Sequence, residues 1–377
     1  MSEVWPFVPD ERMVYKYEFL TDLMRAASAE KRIPIKQNAQ VTISVQHVLT
    51  DEQFAYMKGI ANRVSSSQEI YIPLWTEAVL IGSVSSSQDE FTFTTAGFDF
   101  TTHCIVWASP ENFELLEISA INSGSIETVT GTVSSYGNAF LIPVRESYAV
   151  DGFNISKNGI NSHIVAANFL IKEDVEYGAS FSSTSYQDIF LIPYRPTRTN
   201  NATEVIVDTT NMVDNGSGVF VIDKFLEYTD FRQIVEFNFQ DRDKIINVRD
   251  FVCYLKGRDQ VFWFPTYFNE LTLLSNANAN ARVKKFMPSS DYEDKFVYLE
   301  LNDGTKFLSK IDSAVDDTGD VILTFLAPLG TTVTPAEVFQ FCFMSKVRSD
   351  SDIFEFSYSP GLSAIVSFSV IEVPDVS

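Results

Sequence analysis

The residue types that most often bind metals or act as nucleophiles are few in this sequence and far apart. The histidines and cysteines number three each: His47, His103, His163, Cys104, Cys253 and Cys342. Neither set has the paired spacing of zinc ligands. We expect the histidines to be surface or strand-end residues. We expect the cysteines to be buried free thiols, in a chain that folds in a reducing cytoplasm.

The motifs of common enzyme classes are also missing from the sequence. It has no nucleophile elbow, no phosphate-binding glycine loop and no dinucleotide fingerprint. The acidic run DDTGD at 316–320 could bind calcium, but it is typical of a hairpin turn and lacks the ligand spacing of an EF-hand. We therefore predict no catalytic, metal-binding or cofactor-binding residues and no enzymatic activity.

Two carbohydrate-related functions remain open at this point. Trp75, Trp107 and Tyr267 could form a platform for a sugar ring, although aromatic residues in strands more often lie in the core. The paired carboxylates of a β-rich glycan hydrolase are defined by their separation in space, which a sequence does not give. Trp75 and Tyr267 also occupy matching positions in an internal repeat, which favours packing.

That repeat spans residues 41–75 and 235–267. Each copy has an alternating apolar strand, a helical stripe, an arginine and a strand that ends in proline. Aligning Arg63 with Arg258 gives an offset of 195, whereas aligning Pro73 with Pro265 gives 192. The first copy thus carries three extra residues, which we place in the segment 65–68. The pattern predicts a tandem duplication.

One short helix is predicted in each copy. Thr50 and Gln53 form a capping pair for a helix near 51–62, and Gly257 suits the position after a helix near 248–256. Arg63 and Arg258 each follow a helix, where a cation offsets the exposed carbonyl groups. Duplicated β-rich units usually build a surface or a ring, so a contact between ring subunits is the second interpretation of these arginines.

The rest of the chain predicts strands. Short apolar runs separated by Ser, Gly and Asn are typical of a β-barrel or sandwich, and the 32 Phe and 15 Tyr residues favour strands. We predict a mainly β protein with two tandem domains. The predicted divisions are an N-terminal arm at 1–15, a first domain at 16–175, a connector at 176–216 with a strand at 189–194, and a second domain at 217–377.

The arm and the net charge bear on possible partners. Trp5, Pro6, Phe7 and Pro9 predict an extended arm that either docks on a neighbouring molecule or folds back on its own domain. Fifty acidic against 28 basic residues give a net charge of −22, which argues against binding to nucleic acid. The excess of negative charge either keeps the protein soluble or covers a surface that must not adhere to DNA. No signal peptide or membrane-spanning segment is expected.

Several short motifs resemble those of the distal tail proteins of tailed bacteriophages. In that family a Thr-Asp pair precedes a Gly-x-Glu-x-Arg turn. The corresponding residues are Thr21, Asp22, Glu30 and Arg32, with Ser28 in place of glycine. The segments IYIPLW, LIPVR at 141–145 and LKGRDQVFWFPTY also resemble the family. They supply the remaining motif residues Pro73, Trp75, Gly257, Arg258 and Pro265.

The resemblance implies a structural virion protein of the tail tip. Its domains would be tail-tube-like β-barrels, assembled in the host cytoplasm into a ring of three or six copies. Its partners would be copies of itself, the tail tube and other tail-tip proteins, with DNA only passing through the lumen. An acidic lumen would repel that DNA. A carbohydrate-binding, lectin-like tail-tip module is the alternative function, and a glycan hydrolase is the third.

Overall fold

The computed structural model of the protein describes most of the chain and is mainly β, as the sequence predicts. The described residues are 3–10, 13–25, 29–64, 68–157, 159, 161–174, 176–179, 181–197, 204–207, 210–214, 220–224, 230–359 and 363–373. Ser28 lies outside these ranges, as do residues 65–67 of the segment to which the three extra residues were assigned. Neither of the α-helices in the described ranges is long and apolar enough to cross a membrane.

The elements are numbered in chain order. The first thirteen strands are β1 (Glu3–Val4), β2 (Met13–Glu18), β3 (Thr21–Arg25), β4 (Glu30–Pro34), β5 (Gln40–Leu49), β6 (Glu69–Pro73), β7 (Val79–Val84), β8 (Glu90–Thr92), β9 (His103–Ser109), β10 (Asn112–Ile121), β11 (Ser125–Thr128), β12 (Tyr136–Lys157) and β13 (His163–Ile171). The next six are β14 (Ser185–Tyr186), β15 (Ile189–Phe190), β16 (Glu204–Val207), β17 (Thr210–Asp214), β18 (Phe220–Lys224) and β19 (Asp230–Phe239). The last eight are β20 (Val261–Pro265), β21 (Asn280–Lys284), β22 (Phe296–Leu301), β23 (Lys306–Asp317), β24 (Asp320–Phe325), β25 (Val338–Ser349), β26 (Ile353–Ser359) and β27 (Ser363–Glu372). The α-helices are α1 (Asp51–Arg63) and α2 (Arg242–Leu255).

Both predicted helices are present. The Thr50 hydroxyl accepts from the Gln53 amide and the Gln53 side chain from the Thr50 amide, both at 3.3 Å, which confirms the capping pair. Helix α2 begins six residues before its predicted start, at Arg242 after the N-cap Asp241. Its first turn is largely polar, so the apolar stripe is conspicuous in the sequence only further along the helix. Gly257 follows the C-cap, as predicted.

Strands in the two halves of the chain pair in the same order. The first half runs β6–β12–β13–β5–β2, and the second runs β20–β25–β27–β19–β16. Register is repeated as well, since Pro73 lies opposite Val144 and Pro265 lies opposite Met344. A second series, β12–β9–β10–β11–β8, recurs as β25–β22–β23–β24–β21.

Strand β2 joins the two halves. It pairs with β5 along one edge and with β26 along the other, both antiparallel. The result is an eight-stranded antiparallel sheet in the order β12–β13–β5–β2–β26–β27–β19–β16. Both helices and one face of this sheet share a single hydrophobic core, and each half has a further core among its remaining strands.

The N-terminal arm folds back on its own chain. Trp5 and Phe7 are buried, and β1 pairs in parallel with β6. The Trp5 indole N–H donates to His47 Nε2 at 2.9 Å, and His47 Nδ1 lies 2.9 Å from the Val8 carbonyl oxygen. The expectation that His47 is a surface or strand-end residue is therefore wrong, because it is fully buried within β5. The other two histidines are partly exposed.

Residues 176–216 contain more strand than the sequence predicts. The strand expected at 189–194 appears as the short β15, followed by a bridge between Leu191 and Trp263. Strands β16 and β17 also lie in this segment, so the strand pairing of the second half begins before the predicted boundary at 217. The DDTGD run forms the predicted hairpin turn between β23 and β24, with positive φ at Thr318 and Gly319.

Candidate functional site at the junction of the two halves

The hairpin β3–β4 docks on the loop that follows α2, far along the chain. The Thr21 amide donates to the Asp352 carboxylate at 3.2 Å, and the Thr21 hydroxyl donates to the Lys256 carbonyl at 3.3 Å. The other Asp352 oxygen accepts from the Arg258 amide at 3.0 Å. Asp352 therefore connects two motif residues, Thr21 and Arg258, that come from opposite halves of the chain.

Gly257 is required at this junction by both its conformation and its surroundings. Its φ is +72°, a region that side chains other than glycine rarely adopt. A Cβ at this position would overlap the Asp352 carboxylate and lie 3.1 Å from Phe19 Cβ. The identity of the motif residue thus follows from its positive φ and from the close approach of Asp352 and Phe19.

A buried ion pair lies beside these contacts. Arg348 donates from Nε and Nη2 to the two Glu30 oxygens at 2.6 and 2.8 Å, and Arg25 donates to Glu30 at 3.0 Å. The Glu30 side chain is 3% exposed and that of Arg348 is fully buried. Burial raises the pKa of Glu30, but hydrogen bonds and attraction from Arg348 and Arg25 outweigh it, and the pKa is lowered. Glu30 is consequently ionised at neutral pH.

The remaining motif residues divide between the junction and other places. Arg32 donates to the Asp259 carbonyl at 2.7 Å, so it also holds the hairpin to the loop after α2. Asp22 is exposed on β3. Pro73 and Pro265 are buried at equivalent ends of β6 and β20 and lie outside the junction.

The aromatic residues considered as a sugar platform are packed instead. Trp75 is partly exposed and meets Trp107 edge to face at 5.1 Å, while the Trp107 indole donates to the Pro6 carbonyl at 3.0 Å. Tyr267 is 6% exposed and contacts Phe264 and Tyr298. These residues therefore contribute to cores in both halves, as the repeat positions of Trp75 and Tyr267 indicated.

The arginines that follow the helices bind other segments of their own chain. Arg63 forms an ion pair with Glu3 in the arm at 2.7 Å. Arg258 donates from Nε to the Asp350 carbonyl at 3.1 Å. Each arginine thus ties the end of a helix to a distant segment.

A second polar cluster lies between the halves. Arg145 on β12 is 1% exposed and pairs with Asp99 at 2.6 Å and with Glu173 at 3.0 Å. The Tyr177 hydroxyl donates to Asp99 at 2.5 Å. Burial and the neighbouring Asp99 carboxylate raise the Tyr177 pKa, so the phenol stays protonated.

Beside this cluster, Arg242 at the start of α2 connects the second half to the first. It forms an ion pair with Glu77 and donates to the Gly97 carbonyl at 2.7 Å. Its guanidinium also lies 3.9 Å from the centre of the Phe98 ring. Burial raises the pKa of Glu77, and the attraction of Arg242 opposes that shift. The pair is therefore a partly buried ionic contact between the halves.

The space in this region is small. Two cavities of about 20 Å³ each lie here, both lined by Thr76, Glu77, Arg249 and Tyr358. That volume holds about one water molecule and is far below the roughly 300 Å³ of an ordinary ligand pocket. Cavities of this size are typical of a packed interface.

The cysteines are buried and free, as predicted. Burial raises the pKa of the Cys104 and Cys342 thiols to about 12, so both are protonated at neutral pH and are weak nucleophiles. Among the described residues, no group of three or more His, Cys, Asp or Glu side chains is arranged to hold a metal ion.

Sequence reasoning found only part of the junction. Thr21, Glu30, Arg32, Gly257 and Arg258 meet there, and their spacing in the sequence gave no indication of it. Their partners Arg348 and Asp352 were missed, because no short motif surrounds them. A usable signal was present for Arg145, a charged residue that directly follows the apolar run 139–144 of β12. The sequence matches no model of a known protein family and no curated protein.

Proposed function

We propose that this protein is a structural component of a phage tail tip, forming a distal tail or hub ring that joins the tail tube to the tip and lets DNA pass. The observation that carries the proposal is the repeated strand order, which makes one chain two equivalent building blocks of a continuous antiparallel sheet. Ring proteins are built from such repeated blocks. The proposal includes no catalytic activity and no cofactor.

The finer architecture belongs to the same proposal. Each half would be a tail-tube-like β-barrel, and the two would stand in tandem. In support, each half repeats both strand series and has a hydrophobic core of its own beside the shared one. Five of the nine motif residues that resemble the phage family lie where the halves meet, as expected if they fix the orientation of one block on the next.

The solvent-facing side of the eight-stranded sheet is the natural candidate for the wall of a lumen. Its described residues are mostly Ser, Thr, Asn, Gln and aliphatic side chains. The charged ones include Lys16, Glu18, Glu146, Arg232, Glu236 and Glu355. Acidic groups therefore outnumber basic ones on this face, and a lumen that repels DNA belongs to the proposal.

The partners follow from the ring. They are further copies of the chain, three or six in number, together with the tail tube and other tail-tip proteins in the virion. Native mass spectrometry over a range of concentrations, with negative-stain images of the large species, tests this assembly. A closed ring of three or six chains is expected, and a monomer at every concentration would contradict the proposal.

The carbohydrate-binding tail-tip module remains the alternative function. Its sugar platform rested on Trp75, Trp107 and Tyr267, which pack against other side chains in this fold. Binding of the purified protein to a glycan array would favour this alternative, provided that the same sample shows no ring.

A further inference from the structure

The eight-stranded sheet has β12 at one edge and β16 at the other. These edge strands are equivalent in the repeat to β26 and β2, which pair at the centre of the sheet. Within the described ranges, β16 pairs only with β19, and residues 153–157 of β12 pair only with β13. Strand β16 takes the place in the second half that β2 takes in the first. Segment 153–157 takes the place that β26 takes in the second half.

Pairing registers establish this correspondence residue by residue. Lys16 lies opposite Thr42, and Val205 lies opposite Arg232 at the equivalent position of β19. Ile155 lies opposite Val165 on β13, and Phe356 lies opposite Val366 at the equivalent position of β27. The chain therefore contains one finished junction, between β2 and β26. It also contains the two strand edges that could form a second junction of the same kind, β16 and segment 153–157.

The direction of the strands permits the second junction. Neighbouring strands are antiparallel throughout the sheet, and each half contributes four of them. Because four is even, β16 runs in the same direction as β2. It can therefore meet segment 153–157 of another copy as β2 meets β26.

Exposure distinguishes the finished junction from the open edge. Phe356, at the finished junction, is 1% exposed, whereas its equivalent Ile155 is 48% exposed. Asn154, Ser156 and Lys157 are exposed as well. An exposed strand edge is a template for pairing with another chain.

The region beneath the hairpin shows the same difference. The hairpin β3–β4, which follows β2, covers Arg348 of the second half with Glu30. The equivalent of Arg348 in the first half is Tyr148, since both lie at the same step of the repeated ladder. Tyr148 is partly exposed and bonds Glu69, whose side chain is 44% exposed. Hairpin β17–β18 follows β16 as β3–β4 follows β2, so it would lie over this surface in a second copy.

We propose that β16 of one copy pairs antiparallel with residues 153–157 of β12 in a second copy, in the register that joins β2 to β26 within one chain. Val205 then lies opposite Asn154, as Lys16 lies opposite Glu355. The contact is head to tail and extends the sheet by eight strands per copy. The inference rests on the proposed ring and specifies how its subunits meet.

Paired cysteines test this register. The variant Asn154→Cys/Val205→Cys places two thiols directly opposite each other only between copies, because the two strands lie at opposite ends of the eight-stranded sheet. Lys16→Cys/Glu355→Cys is the matched control, since it reproduces the same pair within one chain. The natural cysteines are buried and do not compete.

After mild oxidation, the first variant is expected to shift from the monomer band to bands at multiples of the chain mass on a non-reducing gel. The control is expected to form its disulfide without a change in mass. Asn154→Cys alone and Val205→Cys alone should each run at the monomer band of the gel. A mixture of these two single variants should give disulfide-linked dimers. The neighbouring pair Ile155→Cys/Glu204→Cys provides a second test of the same register.

The outcomes separate this inference from the proposed function. If native mass spectrometry shows rings but neither cysteine pair links the copies while the control disulfide forms, the register is overturned and the ring stands. If the protein is monomeric and unlinked at every concentration, both are overturned. Linked bands together with rings support both.

Discussion

The two halves of this protein share a strand order but differ in how much of their surface is covered. At the centre of the sheet, hairpin β3–β4 covers Arg348, and β2 covers the edge of β26. At the equivalent places in the first half, Tyr148 is partly exposed, and segment 153–157 pairs only with β13 in the described part of the chain. One chain thus contains the same strand surface twice, covered in the second half and exposed in the first.

The comparison teaches how a duplicated chain can encode its own assembly. The finished junction uses ionic groups that are costly to bury unless they are paired, such as Glu30 with Arg348. The open counterpart uses exposed ionic groups such as Glu69 and Lys172, which remain solvated. The two halves therefore differ in their ionic groups at the surface that hairpin β3–β4 covers in the second half and that is exposed in the first.

The largest effect is expected from breaking the finished junction. Glu30→Gln removes the closer carboxylate partner of the buried Arg348, with only Asp350 left at 3.6 Å, and we expect the free energy of unfolding to fall by about 3 kcal/mol. Urea denaturation measures the loss. Glu69→Gln is the matched control, because it removes a carboxylate from the open counterpart, and it should leave the urea midpoint nearly unchanged. Equal effects of the two substitutions would contradict the comparison.

The halves also differ at His47, the buried residue that contacts the N-terminal arm. Phe237 occupies the equivalent position in the second half. Burial lowers the pKa of His47 from 6.5 to about 4, so the unfolded chain takes up the proton more readily. The neutral ring contributes its full stability above about pH 6.5, and this contribution is lost as the pH falls towards 4. The loss amounts to at most about 3 kcal/mol.

Urea midpoints between pH 7 and pH 4 measure this effect. His47→Phe, which imitates the second half, should remove this part of the pH dependence even if it lowers stability at neutral pH. His103→Gln is the control, and it should retain the wild-type slope. If the urea midpoint of His47→Phe changed with pH as steeply as that of the wild type, His47 would not be the source of this pH dependence.

A smaller effect is expected at the turn after α2. Gly257→Ala must hold a positive φ and displace the Asp352 carboxylate, and we expect a loss of about 1–3 kcal/mol in the free energy of unfolding. Gly304→Ala is the matched control, because its φ is +86° and nothing lies within 4 Å of the added Cβ. The difference between the two variants measures the cost of the close approach alone. No difference would mean that the Asp352 side chain moves aside without cost.

The smallest effect is expected at the helix caps, where the halves are most alike. Thr50→Ala removes the capping pair of α1, and Asp241→Ala removes the N-cap of α2. Each should cost about 1 kcal/mol, as measured by thermal unfolding. A much larger loss from either would indicate that the residue has a further role at the junction.

Local features of the fold were predictable from the sequence, and long-range ones were not. The caps, the turn at Gly257 and the hairpin at 316–320 depend on neighbouring residues, which a sequence displays directly. The start of α2 was predicted too late because its first turn is polar. His47 was misplaced, although it falls on the apolar alternation of β5 that also contains Val45 and Leu49.

The junction required contacts that no local pattern specifies. Thr21 and Asp352 are separated by 331 residues, and Glu30 and Arg348 by 318. The motif residues could be selected by resemblance, but their partners could not, because a buried arginine such as Arg348 has the same local sequence as an exposed one. The strands β16 and β17 were missed because Ser, Thr and Asn surround them.

Hydrogen exchange measured at increasing protein concentration tests the central claim most directly. The account predicts that alternate amides in residues 153–157, which exchange rapidly in the monomer, become as slow as those of β26 once rings form. Rings whose 153–157 amides continue to exchange at the monomer rate would contradict it.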